Sequence, residues 1–207
     1  MSSHSPANRG RRIGLTGGMG CGKSAAAGIF RELGWGVLES DVIVRELWDT
    51  DEDLKQAALK RWGLKILEPN AEGKISRRKV AEIVFAEAGE LDWLETGLHP
   101  KVRARWQAVI AAEPRKDWVV EIPLLFEKSL ASGFDFTLCI ASSPSLQASR
   151  LAARGLSPSE IAARQARQWT LPQKIERADW VALNDGSLDF LRRQLVYFIS
   201  GLRPTNL

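Results

Sequence analysis

Residues 17–24 read Gly-Gly-Met-Gly-Cys-Gly-Lys-Ser, a glycine, four variable positions, then Gly-Lys-Ser. That spacing suits the holding of phosphate. Its glycines allow left-handed backbone conformations that turn N–H groups inward at the positive end of a following helix. The backbone from Gly18 through Gly20, Cys21, Gly22, Lys23 and Ser24 to Ala25 is therefore expected to cradle ATP. Lys23 would lie along the β and γ phosphates, and the Ser24 hydroxyl would ligate Mg²⁺. Asp41 is the next candidate, as acceptor of the proton of an attacking hydroxyl or as a second Mg²⁺ partner through water, with helix capping as the plainer alternative. Arg150 and Arg154 are four apart, so on a helix they share a face and either converge on one anion or form a solvated basic strip. His99, just before Pro100, is either functional or marks the start of a helix. Cys21 sits at a probable helix N-terminus, where a thiol's pKa tends to fall; a small residue that merely fits is the simpler reading than a redox switch.

Such side chains act together only if the chain brings them to one edge of a sheet. Residues 12–16 form a short apolar run leading into the loop, and residues 23–33 read as a helix ended by Gly34. Further strands are expected at 36–39, 118–122, 136–141 and 180–183. Continuous apolar runs separated by helical segments indicate parallel strands covered on both faces. The fold class is thus α/β, a three-layer core around a five-stranded parallel sheet. Eleven helical residues after the loop descend about 16 Å, and five extended ones climb back by a similar amount. Asp41 should therefore emerge level with the loop, where open α/β sheets place their ligands.

The stretch 44–116 is too long for an ordinary crossover and shows helical periodicity without a convincing strand, so a helical insertion is expected there. Within it Ser76 should cap a helix over 77–87, and Pro100 should open one running to about Ala112. Residues 143–169 read as two helices hinged at Gly155, the second opened by Ser157, Pro158 and Glu160. A last helix over 187–199 puts Leu188, Leu191, Leu195, Phe198 and Ile199 on one face. The core then comprises 12–43, 117–142 and 170–207, and residues 1–11 form a frayed tail.

The 207 residues, 44% of them hydrophobic, suffice for one sizeable core. No apolar run approaches the roughly 18 residues of a membrane span, and the polar, basic start lacks a secretory signal's architecture. Cys21 and Cys139 are too few for a disulfide scaffold, so a cytoplasmic protein with reduced thiols is expected. The net charge of +4 comes from scattered residues without a basic tract or zinc spacing, which points away from nucleic acid and towards a phosphate-rich small molecule. A monomer or weak homo-oligomer is expected.

Taken in order, several motifs resemble the dephospho-CoA kinase family from Ile13 to about Asp189. They are Gly14-Leu15-Thr16-Gly17-Gly18 running into the loop, Ser40-Asp41 with Arg45, Leu98-His99-Pro100, and Pro123-Leu124-Leu125-Phe126-Glu127. The Arg150 and Arg154 segment, Lys174 with Ala178-Asp179, and Asn184-Asp185-Gly186 complete the set. The resemblance implies transfer of the γ-phosphoryl group of ATP to the ribose 3′-hydroxyl of dephospho-CoA. It implies Asp41 as base or orienting carboxylate, Thr16 near the reacting phosphate, Arg150 as a transition-state cation and Arg154 as a nucleotide contact. It further implies that Arg45, His99, Leu125 and Glu127 join Asp41 against the substrate, with 44–116 as the CoA domain and 143–169 as a mobile lid. Glu127 has the alternative of capping a helix. The family usually carries Asp-Ala-Asp where this chain has Glu39-Ser40-Asp41, and an aspartate where Gly155 stands.

Other small-molecule P-loop kinases, of nucleotides or shikimate, would share the loop and lid. A GTPase would need an Asn-Lys-x-Asp base-reading motif, which the chain lacks. A non-catalytic nucleotide- or nucleic-acid-binding module has only the basic pI of about 9.3 in its favour.

Overall fold

A computed structural model describes residues 9–69, 73–87, 89–155 and 157–202; residues 1–8 of the expected tail and 203–207 of the expected core lie outside the described residues. The chain divides into two compact units, one built from the chain up to Glu39 and from Glu113 onward, the other from Ser40–Ala112.

The first unit is a five-stranded sheet of β1 (Arg12–Gly17), β2 (Gly36–Glu39), β3 (Trp118–Glu121), β4 (Phe136–Ala141) and β5 (Trp180–Leu183), in the order β2-β3-β1-β4-β5. Every pairing is parallel, as the unbroken apolar runs predict. Side chains alternate between the faces. Ile13 and Leu15 of β1 join Leu138 and Ile140 of β4 in a core closed by α1 (Lys23–Glu32) and α9 (Leu188–Gly201). Burying such a side chain contributes about 1.5–3 kcal/mol. On the opposite face, a Cβ at Gly14 would stand 3.0 Å from Leu125 and Phe134, and Thr16 meets Pro123. Helix α8 (Leu171–Arg177) packs on β1 and β4.

Local signals account for the turn out of α1. Gly34, at φ +85°, lets its own N–H reach the Arg31 carbonyl and that of Trp35 reach Phe30, both at 3.0 Å. The Phe30 and Trp35 rings then meet edge-on at 5.5 Å, the apolar contact that accompanies this helix ending. α6 (Pro144–Ala153) and α7 (Pro158–Gln165) flank Gly155, and Ser157 with Glu160 forms the expected capping box.

Four expectations need correction. Residues 9–11 are not frayed: Gly10 N–H donates to Pro114 O at 2.8 Å, and Arg9 and Arg11 pair with Asp135 and Asp117. Leu188 begins α9 but is 64% exposed, so the buried face of this helix starts at Leu191. α8 was not anticipated, although Thr170, whose N–H donates to Gln173 Oε1 at 2.9 Å, and Pro172 signal its start.

Pro100 supplies the fourth correction, in the second unit. Here α2 (Ser40–Thr50), α3 (Glu52–Trp62), α4 (Arg77–Ala86) and α5 (Glu90–Ala112) pack around Trp48, Trp62, Ile66, Val80, Leu94 and Leu98. Pro100 lies inside α5, which starts at Glu90. The Glu90 carboxylate receives the Arg61 guanidinium at 2.6 and 2.8 Å and Trp62 Nε1–H at 2.6 Å, and its charge suits a helix N-terminus. These contacts set the helix start ten residues ahead of the proline. Ser76 does precede α4, but its side chain makes no capping bond. An isolated antiparallel bridge, Leu67 to Ile75, is the strand-like element among the described residues here.

Candidate active site

β1 leads towards β2 and β3, whereas its neighbour β4 leads towards β5. Adjacent strands whose continuations diverge leave a crevice at their carboxyl ends, and residues 17–22 occupy it. Gly20 and Gly22 have φ of +79° and +90°. A Cβ at Gly22 would lie 2.0 Å from Asn184 Nδ2, so both conformation and space demand glycine.

Asn184 directly follows β5 and holds the loop from outside. Its Nδ2 donates to Cys21 O at 2.9 Å, and Ser142 Oγ, just past β4, donates to the same carbonyl at 3.2 Å. A trans peptide then turns the Gly22 N–H the opposite way. Arg150 in the last turn of α6 braces this arrangement, one nitrogen donating to Ser142 Oγ at 2.9 Å and Gly20 O at 3.3 Å, the other to Asn184 O at 2.7 Å. Gln147 Nε2 donates to Ser142 O at 2.7 Å. Lys23 Nζ reaches the Gly17 and Gly18 carbonyls at 3.3 and 3.2 Å. Ser24 and Ala25 follow in the first turn of α1, Ser24 exposed.

A second group of contacts lies beneath the end of β1. Thr16, wholly buried, donates its hydroxyl to Pro123 O at 3.3 Å. The same carbonyl accepts from Lys174 Nζ at 2.5 Å, and this ammonium also stands 2.9 Å from Glu127 Oε1. Glu127 Oε1 accepts the Trp169 N–H at 2.8 Å, immediately before α8, while the Phe126 and Trp169 rings stack at 6.4 Å. Glu127 thus braces the start of a helix, the alternative left open by the sequence. Leu125 is 0% exposed and packs in the core, so its side chain offers no surface to a ligand.

Of the remaining expected residues, Arg154 is exposed at the C-cap of α6 while Arg150 is turned into the loop. The two arginines therefore do not act as one basic face. Asp41 and Arg45 are exposed, one turn apart at the start of α2, and His99 is half-buried in α5. Asp41 follows β2 by two residues, and β2 ends with Glu39 level with Glu121, which is itself level with Leu15. That register agrees with the climb calculated from the sequence. Glu39, the unusual first carboxylate, pairs with Arg31.

The expected fall in the Cys21 pKa is reversed. Burial pushes the thiol up, and this outweighs the Ser142 hydrogen bond and the Lys23 and Arg150 charges. Burial likewise pushes Cys139 up to about 12. The roles of Ser142 and Gln147 have no signal beyond their place after β4. Lys174 and Asn184 stand in recognisable motifs, but nothing in the sequence reveals what they touch.

A parallel sheet of this order, whose first strand runs through a glycine loop into a helix, defines the P-loop kinases. The sequence profile described as CoaE, dephospho-CoA kinase, matches residues 11–189. A dephospho-CoA kinase of Thermosynechococcus vestitus is 38% identical over 186 residues, 89% of this chain and 91% of the relative. A solved structure from Thermus thermophilus has a TM-score of 0.78 at 33% identity, over 95% of this chain and 100% of that one. The dephospho-CoA kinase of Campylobacter jejuni has a TM-score of 0.67 at 29% identity, over 95% and 98%. The chain belongs to the dephospho-CoA kinase family.

Proposed function

We propose that this chain transfers the γ-phosphoryl group of ATP to the ribose 3′-hydroxyl of dephospho-CoA, giving coenzyme A and ADP, the last step of coenzyme A synthesis. The observation that carries the reading is the family match over residues 11–189, which spans the glycine loop and the elements that brace it. The ribose oxygen bonds to phosphorus, the bond from phosphorus to the bridging oxygen breaks with its electrons left on ADP, and the hydroxyl proton passes to the Asp41 carboxylate. A loose transition state asks for orientation and charge stabilisation more than for a strong base. The loop from Gly18 to Ala25 holds the phosphates, with Lys23 along β and γ and Thr16 close by. Arg150 supplies positive charge to the transferring group, and Arg154 adds a nucleotide contact.

The donors fit Mg²⁺, a hard cation that prefers oxygen: the Ser24 hydroxyl is exposed in the first turn of α1, and Asp41 offers a carboxylate. When bound, Mg²⁺ neutralises charge developing on the β and γ oxygens.

Arg45 and His99 hold the substrate within the helical insertion 44–116, whereas Glu127, with Oε1 engaged by Lys174 and the Trp169 N–H and Oε2 buried, braces its own segment instead of meeting the substrate. Residues 143–169 act as a lid hinged at Gly155, whose φ is +74°, and its closure excludes water that would compete as acceptor. A cytoplasmic enzyme, a monomer or weak homo-oligomer that needs neither nucleic acid nor membrane, completes the reading. Among the described residues no helix is long and apolar enough to cross a membrane.

The test is incubation with Mg²⁺-ATP and dephospho-CoA, with AMP, shikimate and adenosine offered in parallel, and product identification by mass spectrometry. Coenzyme A and ADP formed with dephospho-CoA alone is the expected result. Transfer to another acceptor instead would discard this substrate.

A further inference from the structure

Lys174 is 0% exposed, and lysine is seldom fully buried unless paired. Its ammonium has two partners: Pro123 O at 2.5 Å and Glu127 Oε1 at 2.9 Å, the carboxylate itself being 9% exposed. Stability alone does not account for such a pair, since well-packed apolar residues of similar volume often do as well or better. The contacts do something that apolar residues could not. Pro123 O is shared between Lys174 and the Thr16 hydroxyl, at the strand end that feeds the phosphate loop. Glu127 Oε1 is shared between Lys174 and the Trp169 N–H that precedes α8. One ammonium thus ties together the end of β1, the segment after β3 and the start of α8. Glu127 Oε2 is buried and, among the described residues, makes no hydrogen bond of its own.

We propose that Lys174 is a positioning residue for phosphoryl transfer: through Pro123 O and Glu127 it sets Thr16 and the 123–127 segment relative to the phosphate loop. The inference rests on the kinase reading above. Lys174 touches neither nucleotide nor acceptor, so its removal should leave ATP binding nearly intact while turnover falls. A displacement of about 1 Å at such a site is worth about 100-fold in rate.

The test pairs Lys174→Met with Glu127→Gln, which removes both charges, avoids stranding one of them and keeps an acceptor for the Trp169 N–H. Turnover with dephospho-CoA, the KM for ATP and the Kd of a fluorescent ATP analogue are measured beside the thermal midpoint. The expected result is a folded protein with kcat about 100-fold lower and with KM and Kd within about threefold of the parent. A folded double variant that turns over at the parental rate overturns the proposal, as does one whose nucleotide Kd weakens as much as its kcat. Should the double variant not fold, Lys174→Arg is read instead, since it keeps a cation for Glu127 while moving the donors at Pro123 O: a kcat fall of about tenfold or more at unchanged Kd is required, and a parental rate overturns the proposal. A parent that forms no coenzyme A would instead sink the kinase reading, and with it the step Lys174 is said to serve.

Discussion

Arg150 makes three hydrogen bonds, and all three end on groups that shape or brace the loop. Its removal should therefore act twice. Arg150→Ala is expected to lower kcat about 100-fold or more while the KM for ATP rises far less. It should also lower the thermal midpoint, by about 2–4 °C for each kcal/mol lost. Arg150→Lys should recover little of either, because one ammonium lacks the fork that bridges Ser142 and Asn184. A variant whose defect is confined to KM would make Arg150 a binding residue only. Asp41→Asn should lower kcat by about 10²–10⁴ and weaken nucleotide affinity far less, since the phosphate cradle does not include it and the amide oxygen can still face the ion; near-normal turnover would remove its role. The thiols give a pH signature. Cys139 has a folded pKa of about 12 against an ordinary 9.0, so its contribution to stability is complete below pH 9 and is lost as pH rises towards 12. In urea titrations across that range, stability should fall more steeply for the parent than for Cys139→Ala, and parallel slopes would contradict the assignment.

Asp51 links two helices of the second unit. Its Oδ1 accepts the Leu54 N–H at 2.8 Å and caps α3, and Lys101 of α5 pairs with the same carboxylate at 2.7 Å. Asp51→Asn keeps the cap and loses only a part-exposed ion pair, worth under about 1 kcal/mol. Asp51→Ala loses the cap as well and should cost about 0.5–2 kcal/mol more by urea denaturation. The Lys101 hydrogen bond, helped by the Leu54 N–H, holds this carboxyl below its ordinary value of 3.8. Its contribution is present above that pH and is lost as pH falls through the folded value, so Asp51→Asn should narrow its deficit in acid. Elements of this kind were legible in unequal measure. The five strands were readable because each is a continuous apolar run buried on both faces. α5 was misread because proline favours a helix start, whereas the start is fixed by Glu90 meeting Arg61 and Trp62 some 28 residues back in the chain. α8, at seven residues, is too short to show a period, and only its capping residues announce it.

At the scale of the molecule, the phosphate loop was legible because its chemistry is carried by contiguous residues under a strict backbone demand. The bracing shell was not. Ser142, Gln147, Lys174 and Asn184 act through carbonyls presented by other strands, and one sequence does not show which carbonyl a side chain will meet. Leu125 illustrates the reverse error, a motif residue whose side chain serves the core. The scattered surface charge fits a small anionic substrate, and the central claim is the identity of that substrate's reacting atom. The most direct measurement is ³¹P and ¹H NMR of the product formed from Mg²⁺-ATP and dephospho-CoA, with ADP counted in parallel. One new phosphate coupled to the ribose 3′ proton, in equal amount to ADP, is the predicted result. Phosphate at any other position, or ADP released without a phosphorylated product by folded, ATP-binding protein, would contradict it.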